Sequence, residues 1–207
     1  MMHLLEKAAV LQYHRRRLGD PGRCALGWRT VDSQRLRFDA LSRVGDLSGS
    51  KVLDLGCGYG DLKPFLDQRF ADVAYLGIDH MPEFIEEARR RHGHLPRTGF
   101  VQADILNAVF PAVDYVLASG AMSYRCSNAL YPYNLIRQMW DAAERGIAFN
   151  LLDARVFPPG SVLCGQDPEA ILAFCRTLDP AAELVTGYVV DDFTVLMRRQ
   201  TGIPAQA

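Results

Sequence analysis

Residues 51–62 read KVLDLGCGYGDL. Lys51 to Leu55 form a short apolar run of the kind that makes a buried strand, and Gly56, Gly58 and Gly60 follow at every second position. A glycine loop at a first strand-to-helix turn lets the backbone come close to a ligand. A Walker loop needs a lysine and a hydroxyl to reach phosphate and magnesium, and neither residue is here. A dinucleotide fingerprint reads G-x-G-x-x-G and keeps the helix N-terminus open for pyrophosphate. Here the spacing is G-x-G-x-G, and Asp61 stands where the next helix should begin. A carboxylate there occupies the favourable end of the helix dipole and repels phosphate. Asp54 adds a second acid. The loop therefore suits a phosphate-free ligand that carries positive charge.

On either side of this loop, alternating apolar patterns predict strands at 51–55, 73–79, 98–104, 114–119, 146–152, 182–190 and 193–199. Helical patterns fall at 4–18, 31–44, 61–70, 82–92 and 168–178, with another helix after Pro132 within 130–145. Pro82 sits in a first helical turn, where proline is tolerated. Asp191-Asp192 reads as a tight hairpin between the last two strands. Strands alternating with helices mean a parallel sheet covered on both faces. The expected fold is α/β: doubly wound, mostly parallel and seven-stranded, closed by an antiparallel C-terminal hairpin strand. Residues 1–48 are expected to form a helical cap segment, residues 49–200 the sheet domain, and the final QTGIPAQA a frayed tail.

Composition narrows the function. The chain has 207 residues and a formal net charge of -1, so no global field attracts nucleic acid or anionic membrane. Arg15–Arg17 and Arg89–Arg91 read as solvated helix faces. Five cysteines, odd in number and widely spaced without a C-x-x-C, argue against a disulfide framework or a metal site and fit a reducing compartment. The first residues, MMHLLEKAAVLQYHRRR, carry charges too early for a signal peptide. No apolar run approaches the roughly 20 residues of a membrane span. The reading is a cytoplasmic protein without nucleic-acid or membrane partners.

VLDLGCGYGDL resembles motif I of the Rossmann-like (class I) S-adenosylmethionine-dependent methyltransferases. YLGIDHMPEFIEEARRR is similar to their second motif, FVQADIL to their third and DYVLASGAM to their fourth. The resemblance covers residues 50–199, with the motifs in order and at the family's spacing. It implies S-adenosylmethionine as cofactor, leaving as S-adenosylhomocysteine; both the sulfonium and the α-ammonium are cationic, as the acids require. It further implies that Gly56, Cys57 and Gly58 pass their backbone along the methionyl part, with Asp54 near the ammonium. Asp79 would hold the ribose diol, followed by His80, and Met81 would cover an adenine face. Asp104 would accept the adenine amino group beside the Ile105 amide, and Ser119 would stand near the sulfonium. Plainer readings exist: strand-end turn formers for Asp79 and Asp104, core filler for Met81. Cys57 reads as a small inert spacer, with no neighbouring His or Lys to activate it.

The acceptor side is less defined. Methyl transfer needs positioning and, for some acceptors, a base. His14, beside Tyr13, is a candidate base, although a histidine in a helix ending HRRR is expected to be solvated. Tyr124, in SGAMSYR after the fourth strand, either orients a nucleophile or walls the pocket. Asn150, isolated in an apolar strand, either bonds substrate or satisfies a neighbouring backbone group. Arg37 shares a helical stripe with Gln34, Phe38, Leu41 and Val44; it either pairs with the cofactor carboxylate or snorkels over apolar surface. Trp28 either closes over the pocket or anchors the N-terminal segment. No N-P-P-Y follows the fourth strand and no basic surface is evident, which leaves a small-molecule acceptor, with O, N, S and C all open. A non-catalytic cofactor binder and a nicotinamide-dependent oxidoreductase are the alternatives.

Overall fold

The computed structural model describes residues 2–18, 31–158, 160 and 162–199. Its central strand is β1, Lys51–Leu55, flanked in parallel by β2, Ala74–Asp79, and β4, Val113–Ala118. Beyond β2 lies β3, Thr98–Gln102; beyond β4 lies β5, Ala143–Leu152. β7, Asp192–Arg198, runs antiparallel to β5, and β6, Glu183–Val185, is the antiparallel edge. The order is β3-β2-β1-β4-β5-β7-β6. The chain steps outward from β1 to β3, then returns to β4 on the other side of β1. That reversal opens a crevice at the carboxyl ends of β1 and β4.

The helices are α1, Leu4–Arg15; α2, Val31–Ser42; α3, Leu62–Asp67; α4, Pro82–His92; α5, Tyr131–Ala142; and α6, Pro168–Arg176. Phe38, Leu41 and Val44 of the α2 segment join Phe65 of α3 and Ile85 and Ala88 of α4 over one sheet face, against Val52, Phe100 and Leu117. Leu135, Ile136 and Met139 of α5 and Ile171 and Leu172 of α6 cover the other, against Leu53, Val116 and Ile147. These spacings put one apolar stripe of each helix onto the sheet. Asp167 caps α6 by accepting from the Glu169 amide (3.0 Å), and Pro168 fills the first turn.

α1 lies across the carboxyl ends of the strands. Lys7 pairs with Asp104 after β3, Arg15 Nε donates to Glu83 of α4 (2.9 Å), and His14 bonds Tyr124 after β4.

Several boundaries differ from the sequence expectation. β5 begins at Ala143 rather than 146, because Arg199 ties the start of this strand down. Its amide donates to Arg145 O (2.8 Å), its Nε to Ala143 O and its guanidinium to Trp140 O (both 2.7 Å). β6 stops at Val185, so the tight Asp191-Asp192 hairpin is replaced by a wider connection over 186–191. Gly187 takes a left-handed φ of 83° there, and the Tyr188 hydroxyl turns inward to donate to Asp192 Oδ1 (2.6 Å). β3 ends at Gln102, and α1, α2 and α3 close earlier than expected. Among the described residues no helix is long and apolar enough to cross a membrane.

Candidate functional site

The glycine loop is held by backbone geometry. Gly56, Gly58 and Gly60 all adopt left-handed φ, at 71°, 54° and 75°. A Cβ on Gly56 would lie 2.4 Å from Ala121 Cβ, closer than any side chain tolerates. The Gly56 and Cys57 amides both donate to Ile78 O, at 2.8 and 3.0 Å, which pins the loop over the end of β2. Asp79 completes the clasp: Oδ2 accepts from Gly58 N (3.0 Å) and Oδ1 from Met81 N (2.9 Å). Burial raises the Asp79 carboxyl, opposed by His80 and by these amides. Asp54 is buried at the floor, where the Tyr75 hydroxyl donates to it. Burial lifts its carboxyl to about 7 despite that bond, with Asp79 adding to the rise.

Three cavities meet above this floor. The first, about 60 Å³, is lined by Asp54, Gly56, Gly58, Asp79 and Ser119. A second, about 200 Å³, lies toward β5 and β7, with Tyr13, Arg37, Asn150, Asp191 and Asp192 in its wall. A third, about 270 Å³, lies over β3 and reaches Lys7, Leu11, Gln102 and Asp104. His80 and Ile105 border the first and third, His14 the first and second, and Tyr124 all three.

The sequence candidates fall into place unequally. Asp54, Gly56, Cys57, Gly58, Asp79, His80, Ile105 and Ser119 converge on the first cavity. Cys57 turns its thiol away onto Gly77, where a Cβ would meet Sγ at 2.8 Å. Burial, then the charges of Asp79 and Asp54, push that thiol well above its ordinary value. Asp104 sits in the third cavity with Oδ1 accepting from Leu106 N (3.0 Å) and Oδ2 from Asn107 Nδ2 (2.8 Å) and Lys7. Burial acts to raise its carboxyl, but Lys7, the Leu106 amide and His80 outweigh it and hold the group below the usual range.

Three expectations change, for Met81, Arg37 and His14, and the open choice at Asn150 narrows. Met81 is fully buried against Tyr59 and Phe84 and lines none of the three cavities, so its amide, not its side chain, serves the site. Arg37 faces the second cavity rather than the first: its Nε donates to Asp192 Oδ2 (2.7 Å) and it lies 3.9 Å from Asp191. An acid pair at the start of β7 thus takes the place expected for a cofactor carboxylate. His14 is buried rather than solvated, with Nε2 in a 2.8 Å hydrogen bond to the Tyr124 hydroxyl. Asn150 braces the loop after β4: Oδ1 accepts from Gly120 N (2.7 Å) and Nδ2 donates to Ser119 Oγ (3.5 Å). Trp28 lies outside the described residues.

Sequence reasoning missed Lys7, Tyr75, Ala121 and the acids Asp191 and Asp192. One signal was present: Lys7, Leu11 and His14 recur at four- and three-residue spacing and so share one face of α1. Among the described residues no group of three His, Cys, Asp or Glu is arranged to hold a metal ion.

A methyltransferase-domain family model matches residues 52–146. The chain is 30% identical over 145 residues to a trans-aconitate 2-methyltransferase of Acidovorax ebreus (strain TPSY), covering 69% of this chain and 48% of that protein. It therefore spans about half that relative's length. A methyltransferase-named protein of Mycobacterium tuberculosis is 29% identical over 161 residues, covering 72% of this chain and 92% of the relative. Among solved structures, the DhpI–SAM–HEP complex superposes with a TM-score of 0.74 at 16% identity, covering 96% of this chain and all of that one. Magnesium protoporphyrin IX methyltransferase from Synechocystis PCC 6803, with bound SAH, gives 0.69 at 16% identity, covering 94% of this chain and all of that one.

Proposed function

We propose that the chain is a Rossmann-like S-adenosylmethionine-dependent methyltransferase, which binds S-adenosylmethionine and methylates a small-molecule acceptor. The observation that carries the proposal is the clasp of Gly58 by Asp79 above the buried Asp54, because it joins close backbone approach to two acids in one cavity. A cationic ammonium suits an Asp54 carboxyl lifted to about 7, since a neighbouring positive charge favours its ionised form. The cofactor, when bound, supplies an activated methyl group, and the protein supplies position.

In this reading the methionyl part lies along Gly56–Gly58, the ribose against Asp79 and His80, and the adenine in the third cavity beside Asp104 and Ile105. The two acceptor oxygens of Asp79 already bonded to amides retain lone pairs for a vicinal diol. Lys7 moves or shares Asp104 with the adenine amino group. The acceptor enters the second cavity, past Tyr13, Tyr124 and Asn150, toward Ser119. Residues 1–48 act as the cap and residues 49–200 hold the cofactor. A cytoplasmic location belongs to the same reading, and the free thiols of Cys57, Cys126, Cys164 and Cys175 fit it.

Calorimetry tests the proposal. Wild type should bind both S-adenosylmethionine and S-adenosylhomocysteine, and Asp79→Ala should weaken both by about 100-fold, the cost of losing one charged, multiply bonded acceptor. Absence of binding to either compound at millimolar concentration would sink it.

A further inference from the structure

Tyr124 stands where all three cavities meet, and His14, on the border of the first two, is bonded to it. His14 comes from α1 and Tyr124 from the loop after β4, 110 positions apart, and Nε2 lies 2.8 Å from the hydroxyl. His14 is only 5% exposed and packs edge-on against Phe84, with ring centroids 5.3 Å apart. A buried imidazole held against a phenol is a proton acceptor in place, since neutral imidazole can receive a proton through a hydrogen-bonded hydroxyl. Burial pushes the Tyr124 hydroxyl well above its ordinary value, so Tyr124 passes a proton along rather than ionising.

We propose that His14 and Tyr124 form a proton relay, and that the acceptor is therefore a hydroxyl-bearing small molecule methylated on oxygen. The proposal rests on the methyltransferase reading above. A carboxylate acceptor arrives ionised and needs no base, a thiol supplies thiolate near neutral pH unaided, an amine attacks through its lone pair and releases its proton to water afterwards, and a hydroxyl must lose its proton as the bond forms. The second cavity also disfavours a carboxylate: among its described lining residues Arg37 is the single cation, and it faces both Asp191 and Asp192.

The step balances. The hydroxyl oxygen forms a bond to the methyl carbon, and the carbon–sulfur bond breaks with its electron pair going to sulfur. The hydroxyl proton passes to the Tyr124 oxygen as the Tyr124 proton moves to His14 Nε2. One positive charge leaves the sulfonium and one appears on the imidazole. The titratable groups facing the pair are Tyr13 on α1, His80 and Asp79 at the end of β2, and Tyr131 on α5.

The test uses the full chain with S-adenosylmethionine labelled in the methyl group, and catechol, benzylamine and trans-aconitate as probes. Label should enter catechol. His14→Gln should lower kcat about 100-fold with the cofactor Kd within twofold, and should remove the acidic limb of the kcat profile; Tyr124→Phe should show a smaller drop. Label entering benzylamine or trans-aconitate, with His14→Gln at full rate, overturns the inference. A second measurement needs no acceptor: in the S-adenosylhomocysteine complex at pH 8, nitrogen NMR should find His14 Nε2 unprotonated, with a shift that changes in Tyr124→Phe. An Nε2 still protonated there also overturns it. Failure of wild type to bind either cofactor form defeats the methyltransferase reading itself, whereas intact binding with either overturning result defeats the relay alone.

Discussion

The two sides of this site are assembled from different distances along the chain. On the glycine-loop side, Asp54, Gly56, Gly58 and Asp79 belong to one β-α-β unit; the loop is held by backbone amides onto Asp79 and Ile78, and Asp54 by the Tyr75 hydroxyl of the same unit. On the opposite side, Arg37 reaches Asp192 across 155 positions and His14 reaches Tyr124 across 110. The first side is a local motif whose spacing carries its geometry. The second exists only once helices from the N-terminal region pack on strands from the C-terminal region. Damage to the first should therefore strike the ligand, and damage to the second should strike the packing or the acceptor.

The largest effect is expected at Gly56. Gly56→Val places a branched side chain at a φ of 71° and a Cβ 2.4 Å from Ala121. Left-handed strain and overpacking together cost about 3 kcal/mol or more. Cofactor affinity by calorimetry should fall more than 100-fold while the far-ultraviolet dichroism stays α/β. Tight binding in this variant would show that the loop tolerates another path and would break the contrast at its strongest point.

Arg37→Met probes the other side. It leaves the buried Asp192 with Tyr188 as its remaining described partner, and removing one member of a buried ion pair costs about 3 kcal/mol. Thermal unfolding should move down by several degrees, with cofactor Kd changed less than threefold. A large loss of cofactor affinity would instead join the two sides into one unit and restore the pairing with a cofactor carboxylate that the helical stripe suggested.

This contrast also explains what the sequence made legible. The seven strands follow from alternation, and the convergence of Asp54, Gly58 and Asp79 is what the resemblance of the motifs implies, whereas the order of the strands in the sheet comes from the structure. The role of Arg37 was not legible, because a helical wheel shows which face turns inward but not that Asp192 will be opposite. His14 was misread for the same reason: HRRR looks solvated until Tyr124 and Phe84 close around it. Met81 shows the converse, since a residue next to a motif was assigned a ligand when a small apolar cluster had claimed its side chain.

A pH series sharpens the glycine-loop side alone. The Asp54 carboxyl is raised from its ordinary value to about 7 by burial. For the empty protein, a raised folded-state value gives stability that is present at low pH and lost as pH rises through about 7. Ligand binding carries the opposite sign, because an ammonium needs the ionised carboxylate. Affinity should therefore weaken by up to about tenfold per unit as pH falls below 7. Thermal unfolding and calorimetry between pH 5.5 and 8.5 read both slopes, and Asp54→Asn should flatten them. Parallel slopes, with binding and stability rising together, would place the ligand's charge elsewhere.

The smallest effect is expected at Cys57, and it bears on how the loop works. The amide of Cys57 donates to Ile78 O, and any residue but proline preserves that bond. The thiol packs on Gly77 and is held protonated by burial, so it offers no nucleophile. Cys57→Ala should leave cofactor Kd within twofold and should cost about 1 kcal/mol of stability for the atom removed from the core. Cys57→Val tests the same point in the other direction, since added bulk must displace the β2 backbone at Gly77 and should cost more than the deletion. If the alanine variant bound cofactor normally but lost turnover, a side chain on this loop would be taking part in the chemistry. The division between a loop that acts through its backbone and a wall that acts through its side chains would then fail at its centre.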